Sequence, residues 1–160
     1  MTEQLLQFIW QFQYFNKNSL HTTEEETLQV IHPGTLNTNQ GPDFLNAKIK
    51  IGKTTWAGSV ELHLKTSGWD KHHHTADKNY KNVILHVVYE HDGMNPGIPT
   101  LELQTRISRV LLSRYENLTL SQSFIPCEKL VGIVPDITIA TWKDRLIAER
   151  LMRKSEIVFD

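Results

Sequence analysis

The first apolar residues of the chain recur at helical intervals, which predicts an aromatic-rich helix over residues 2–15 with Thr2 as its N-cap. The buried stripe of this helix is predicted to be Leu5, Phe8, Ile9 and Phe12. The pattern then predicts strands at 28–32, 44–51, 55–65, 83–90 and 100–104, and helical segments near 75–81, at 106–118 and at 138–158.

The two clearest strands have different patterns. Apolar and polar residues alternate strictly over 60–65, which predicts one buried and one polar face. Residues 83–90 are strongly apolar and rich in β-branched residues, as in a central buried strand. We therefore expect an α/β fold with a mixed central sheet, flanking helices and an extra C-terminal helix.

The composition indicates a globular protein. The chain has 160 residues, of which 39% are apolar and 22% charged, enough for a real core. The net charge of −1 excludes a bulk positive field, so any nucleic-acid partner would need a local patch. The single cysteine, Cys127, excludes an intrachain disulfide, and we expect it to be structural. With neither a signal peptide nor an apolar membrane span, we expect a cytoplasmic protein without a membrane partner.

The last helical stripe suggests how the domains are organised. It continues to the end of the chain without a glycine or proline stop. We expect 1–135 to form the α/β domain and 136–160 to be the truncated start of a C-terminal helical region. The last helix would then pack on the missing C-terminal part or on a second copy of the chain.

Two carboxylates give the main chemical signal. Asp43 opens one predicted strand and Glu61 lies near the end of the next, with a turn at 52–54 between them. An antiparallel hairpin about this turn puts Asp43 opposite His63 and close to Glu61. Together with the carbonyl oxygen of Leu62, the two carboxylates would supply the ligands that hard divalent cations take.

Two further residues on this strand suit a hydrolytic site. His63 could orient or deprotonate water because imidazole titrates near neutrality. Lys65 could neutralise the charge that develops on a phosphate. The alternative is structural: Gly-Pro-Asp is a common turn sequence, and a polar strand face is usually solvated.

Pro42-Asp43 followed by Glu61-Leu62-His63 resembles the signature of the PD-(D/E)XK nuclease superfamily, and the predicted element order resembles the αβββαβ core of that restriction-endonuclease-like fold. The resemblance implies that Asp43, Glu61 and the Leu62 carbonyl bind Mg²⁺ or Mn²⁺ for phosphodiester hydrolysis in DNA or RNA. The chain departs from the signature at His63, which stands in the lysine position. Either histidine substitutes, Lys65 reaches in from about 6–7 Å along the strand, or catalysis is lost.

The chain is also similar to a bacterial family, domain of unknown function 2851, whose members are longer than this chain. The resemblance implies a nuclease-like fold without an established activity. It covers most of residues 28–105 and is carried by residues 41–44, 58–63, Trp69, His72, His74, Tyr80 and 83–88.

Histidines are concentrated in the middle of the chain. Six of the eight lie between residues 63 and 91. His72 or His74 could join His63 in binding Zn²⁺ or Mn²⁺ through imidazole, and both could equally contact a substrate phosphate when protonated. His86 lies in an apolar strand and is expected to be a core histidine hydrogen-bonded to backbone or to a carboxylate. His73 is expected at the surface.

Polar residues after the strand at 100–104 are further candidates for substrate binding. Gln104 ends that strand, and Arg106 and Arg109 share one face of the next helix. Arginine suits bidentate phosphate contacts, although a solvated helix surface explains these residues equally well. Three functions therefore stay open: a metal-dependent nuclease, a catalytically inactive nuclease-like binding domain, and a histidine-based transition-metal protein.

Overall fold

The computed structural model describes residues 1–72, 74, 77–93, 96–120 and 131–159. The expectations for His73 and Cys127 lie outside the described residues. The chain divides into two compact units, Met1–Leu112 and Ser113–Asp160. None of the helices in the described segments is long and apolar enough to cross a membrane.

The first unit contains the sheet. Its elements in chain order are α1 (Glu3–Gln11), β1 (Leu20–His21), β2 (Thr27–His32), β3 (Thr35–Leu36), β4 (Phe44–Ile51), β5 (Thr54–Lys65), α2 (Gly68–Lys71), a 3-10 turn (Lys78–Tyr80), β6 (Val83–Glu90) and β7 (Thr100–Glu102). Helix α3 (Arg109–Thr119) begins in this unit and ends in the second, which also contains α4 (Asp136–Phe159).

The sheet is mixed, as predicted. Its strand order is β1-β2-β4-β5-β6-β7, and β3 pairs with β4. The strands from β1 to β5 pair antiparallel, whereas β5, β6 and β7 run parallel. The predicted α/β class is therefore confirmed. The short strands β1 and β3 were not among the predicted strands, because two residues are too few to show a period.

The β4–β5 hairpin has a different register from the predicted one. If Asp43 were opposite His63, Phe44 would be opposite Leu62. In the structure Phe44 is opposite Val60, so the predicted pairing was wrong by two positions. Asp43 consequently lies beside Glu61, and its carboxylate reaches the backbone of Leu62.

Two local features cause this shift. The turn is tighter than expected, because Ile51 already pairs with Thr54. In addition, the register slips between Phe44 and Ala47, where Asn46 adopts a left-handed conformation with φ 58°. This is a β-bulge, which adds one residue to β4. A register shift of one residue would turn the side chain of Asp43 to the other face of the sheet. Because there are two such shifts, Asp43 stays on the predicted face.

Helix α1 is shorter than predicted and turns a different face to the core. The Thr2 hydroxyl accepts the backbone N–H of Leu5, which confirms the predicted cap. The prediction that Phe8 and Phe12 are buried was wrong, since they are 48% and 52% exposed and pack on each other. The core instead receives Leu5, Leu6, Ile9 and Trp10.

The hydrophobic core lies between α1 and the sheet. It takes the apolar side chains of β4, β5 and β6, together with those of α1 and of the segment after β7. The indole N–H of Trp10 donates to the carbonyl of Pro33 at 3.0 Å, so this buried ring has a polar partner. The core side of β5 is thus closed by α1, which also places Gln7 close to Asp43.

Candidate metal centre

The candidate centre comes from three segments of the first unit. Asp43 directly precedes β4, Glu61 and His63 lie on β5, and His72 and His74 follow α2. Although Glu61 and His63 belong to the polar positions of β5, they are only 6% and 2% exposed. Burying polar groups is costly unless other polar groups satisfy them.

Asp43 and Glu61 are joined by reciprocal hydrogen bonds across the β4–β5 pair. The backbone N–H of Asp43 donates to Oε2 of Glu61 at 3.0 Å, and the backbone N–H of Leu62 donates to Oδ2 of Asp43 at 2.9 Å. The side-chain amide of Gln7 donates to Oδ1 of Asp43 at 2.8 Å. The two carboxylates are therefore fixed beside each other by the backbone.

Burial raises the pKa of both carboxyl groups. For Glu61, burial and then the nearby charge of Asp43 raise the pKa from 4.5 to about 8. For Asp43, burial raises the pKa despite the opposing hydrogen bonds from Leu62 and Gln7. A bound cation would reverse both effects, because it favours the ionised carboxylates.

The second oxygen of Glu61 is turned towards two imidazoles. Oε1 lies 3.3 Å from Nε2 of His74 and 3.7 Å from Nε2 of His63. Within the described part of the chain, none of the lysines or arginines forms an ion pair with Asp43 or Glu61. Glu61 therefore faces ring nitrogens rather than a lysine or arginine.

His63 lies at the middle of a row of three imidazoles. Its Nδ1 is 2.8 Å from Nε2 of His86, and its Nε2 is 3.1 Å from Nδ1 of His72. Burial, followed by the neighbouring histidines, lowers the pKa of His63 to about 3, and burial lowers that of His86 to about 4. Both rings are therefore neutral at physiological pH, which is the form that binds metal ions.

His74 is held between aromatic rings. It stacks on Tyr80 with ring centroids 3.7 Å apart and meets Trp69 edge-on at 5.3 Å. Its Nε2 is buried without a hydrogen-bond partner, since the approach to Glu61 lacks hydrogen-bond geometry. Burial also lowers the pKa of His74, so this ring too is neutral and presents an unused nitrogen to Glu61.

Gly68 leaves the space in which the His63 ring lies. A Cβ atom at this position would be 2.8 Å from Cδ2 and Cγ of His63. Real Cβ atoms do not approach other atoms this closely, so a larger residue would displace the imidazole. The first residue of α2 thus fixes the position of His63.

The predicted site residues fall into two groups. The structure brings together Asp43, Glu61, Leu62, His63, His72 and His74. The ring nitrogens of His63, His72 and His74 all lie within 4.8 Å of one another. The carboxylates and the histidines, which the sequence suggested as alternative metal sites, thus meet in one place.

The other predicted residues have different surroundings. The Lys65 ammonium is 3.5 Å from the Glu90 carboxylate, and both side chains are largely exposed. The Arg106 guanidinium donates to the backbone carbonyls of Asn18 and Ser19 at 3.0 and 2.9 Å. Gln104 is exposed in the turn after β7. The structure does not bring these three residues into the cluster.

Sequence reasoning missed the supporting residues. Gln7 lies on a helix far away in sequence, and no local signal connects it with Asp43. His86 is buried as expected, but its partner is His63 rather than backbone or a carboxylate. Gly68 lies in the connection between the parallel strands β5 and β6. Only that connection could have suggested that Gly68 contacts His63.

Comparison with known proteins gives a match to a family model. A family model described as "Protein of unknown function (DUF2851)" matches residues 3–160. The searches of curated proteins and of solved structures gave no match.

Proposed function

The chain belongs to the DUF2851 family of proteins of unknown function, and we propose that it is a divalent-metal-dependent hydrolase of phosphodiester bonds, a nuclease. The observation that carries the proposal is the buried pair of Asp43 and Glu61, fixed by reciprocal hydrogen bonds and facing neutral imidazoles. Two such acids without a cationic partner among the described residues are poised to hold a cation.

The order of elements supports a nuclease-like core. Helix α1 is followed by the antiparallel strands β2, β4 and β5, then by α2 and the parallel strand β6. If the two-residue strands β1 and β3 are left aside, this order resembles the αβββαβ core and supports the proposal. Asp43 stands at the start of the second of these strands, and Glu61 stands on the third.

Asp43, Glu61 and His63 have separate roles in the proposed reaction. A bound Mg²⁺ or Mn²⁺ would polarise the phosphoryl group and lower the pKa of an attacking water. Asp43 and Glu61 would hold the cation, and the backbone contacts keep both carboxylates oriented. His63 stands in the lysine position and offers a neutral nitrogen to the cation or to water, because burial keeps the ring unprotonated.

A neighbouring cavity offers room for a substrate. Its volume is about 230 Å³, and His74, Tyr80 and Lys81 contribute to its wall. An aromatic ring and an ammonium group suit a base and a phosphate of a nucleic acid. We therefore add Lys81 to the residues proposed to contact the substrate. The substrate contacts of His72, Gln104 and Arg106 stay predictions.

Cleavage assays with matched variants test the proposal. The purified chain is incubated with plasmid DNA or single-stranded RNA and with Mg²⁺, Mn²⁺ or Zn²⁺. We expect metal-dependent cleavage that Asp43→Asn and Glu61→Gln abolish, while the exposed control Glu90→Gln retains it. Cleavage that persists in both variants would contradict the proposal. Nucleic-acid binding without cleavage by the wild type would favour the inactive nuclease-like domain instead.

A further inference from the structure

We infer that His63, His72 and His74, together with Glu61, form a four-ligand transition-metal site that selects Zn²⁺ over Mg²⁺. This inference deepens the proposed function and rests on it for the hydrolytic role of the ion. The binding of the ion does not depend on the proposed function. The ligand atoms are Nε2 of His63, Nδ1 of His72, Nε2 of His74 and Oε1 of Glu61.

The separations of these atoms fit a tetrahedral centre. Neighbouring ligands of a tetrahedral zinc ion with bonds of about 2.0 Å are about 3.3 Å apart. The corresponding distances are 3.1 Å from His63 to His72, 3.3 Å from His74 to Glu61, and 3.7 Å from His63 to Glu61. One nitrogen from each of the three imidazoles lies within 4.8 Å of the other two, so binding would require side-chain rotations that bring the more distant pairs together.

An unused buried nitrogen points independently to a ligand. Nε2 of His74 has no hydrogen-bond partner, although the residue is only 8% exposed. Leaving such a group unsatisfied destabilises the folded protein. A metal ion placed between His74 and Glu61 would satisfy the nitrogen and compensate the carboxylate at the same time.

The surroundings of His63 have the features of a second coordination shell. A metal on Nε2 requires the proton to lie on Nδ1, which then donates to Nε2 of His86 at 2.8 Å. Ligating histidines usually donate their other ring N–H in this way. Gly68 lies against the same ring and leaves the space that the ring occupies.

The chemistry of the ligands decides between metals. Imidazole suits zinc and other transition metals, whereas Mg²⁺ prefers oxygen ligands and retains its water. His72 is exposed, while the other three ligands are buried. The ion would therefore be reached from the side of His72. Because four protein ligands fill a tetrahedral site, water or a substrate would bind the ion only in place of His72 or as a fifth ligand.

Metal titrations of the full chain test this inference. ZnCl₂ and MgCl₂ are titrated separately into the wild type, His72→Ala, His74→Ala and the control His21→Ala, whose histidine on β1 lies outside the cluster. We expect one Zn²⁺ per chain, bound far more tightly than Mg²⁺. Losing a direct ligand should weaken zinc binding by more than the ~10–100-fold typical of second-shell changes, while His21→Ala binds as the wild type.

The choice of variants keeps the test decisive. His72 is exposed, so His72→Ala should keep the wild-type melting temperature without metal. Zinc binding of wild-type strength in both His72→Ala and His74→Ala would overturn the inference, as would equal affinities for Zn²⁺ and Mg²⁺. A visible spectrum of the Co²⁺-loaded protein gives a second measure, because a tetrahedral nitrogen and oxygen site absorbs more strongly than an octahedral one.

The same variants separate this inference from the proposed function. If zinc binds through the histidines but no metal supports cleavage, the nuclease proposal fails and the metal site stands. If Mg²⁺ supports cleavage and both histidine variants cleave and bind zinc as the wild type does, the metal site fails and the nuclease proposal stands.

Discussion

The backbone N–H of Asp43 donates to the carboxylate of Glu61 at 3.0 Å, so the residue that carries one acid also orients the other. The Asp43 carboxylate in turn accepts the N–H of Leu62, next to Glu61 on β5. This reciprocity ties the spacing of the acids to the register of the β4–β5 pair. A ligand pair fixed by backbone contacts is already arranged before a cation arrives.

The contribution of Glu61 to the stability of the metal-free protein should fall as the pH rises from 4.5 to about 8, and above pH 6.5, where the histidines no longer titrate, the protein itself should lose stability. Over this range the folded Glu61, whose pKa is raised to about 8, keeps a proton that the unfolded chain releases. Its contribution is therefore fully present below pH 4.5 and is lost as the pH rises to about 8. Each unit between the folded and unfolded pKa corresponds to about 1.4 kcal/mol.

Urea unfolding in EDTA at pH about 7.5 and about 9 measures this effect. Above the ordinary histidine pKa of 6.5, His63 and His86 are neutral in both the folded and the unfolded states and do not interfere. The wild type should be less stable at the higher pH, whereas Glu61→Gln should change much less. A similar loss in wild type and variant would contradict the assigned environment of Glu61.

Zinc affinity should rise with pH up to about 8. Glu61 must lose its proton to bind the ion, while His63 is already neutral because its pKa is about 3. One released proton gives about a tenfold gain in apparent affinity per pH unit. Titrations over this range should show that slope in the wild type, and Glu61→Gln should bind weakly and without it. A rise that ends near pH 6.5 would instead indicate histidine deprotonation.

Gly68→Ala should weaken both the fold and the metal site. The new methyl group would lie 2.8 Å from the His63 ring, and overpacking of this kind costs about 1–3 kcal/mol. Displacing a ligand ring should lower zinc affinity by about 10–100-fold. Urea unfolding and zinc titration measure the two effects. The control is Gly132→Ala, where a Cβ meets nothing within 4 Å, and equal behaviour of the two variants would contradict the packing argument.

The bulge at Asn46 should be sensitive to residue type. Its φ of 58° suits glycine or asparagine, so Asn46→Val should cost about 1–2 kcal/mol of unfolding free energy. Asn46→Gly should stay close to the wild type. Because the bulge sets the position of Asp43, the valine variant should also bind metal more weakly. Equal stability of the two variants in urea would show that the bulge tolerates any residue.

Much of the fold could be predicted from the sequence because its strands have clear periods. The alternation over 60–65 put Glu61 and His63 on one face, and the apolar run at 83–90 predicted a central strand. The register of the β4–β5 pair was harder to predict. The extra residue at Asn46 and the tight turn before Thr54 have no periodic signal, so Asp43 was predicted opposite the wrong partner.

The candidate site was predicted in parts but not as a whole. The sequence identified Asp43 with Glu61 and, separately, His63 with His72 and His74. It gave no reason to join them, because that depends on how the chain returns after α2. The contacts of Gln7 and His86 are long-range, and only the folded chain brings them to Asp43 and His63.

Anomalous X-ray diffraction from crystals grown with Zn²⁺ tests the central claim most directly. The account predicts one strong zinc peak about 2.0–2.2 Å from Nε2 of His63, Nε2 of His74 and Oε1 of Glu61, with His72 completing the site. The absence of a peak at these atoms, or zinc bound only at residues outside this cluster, would contradict it.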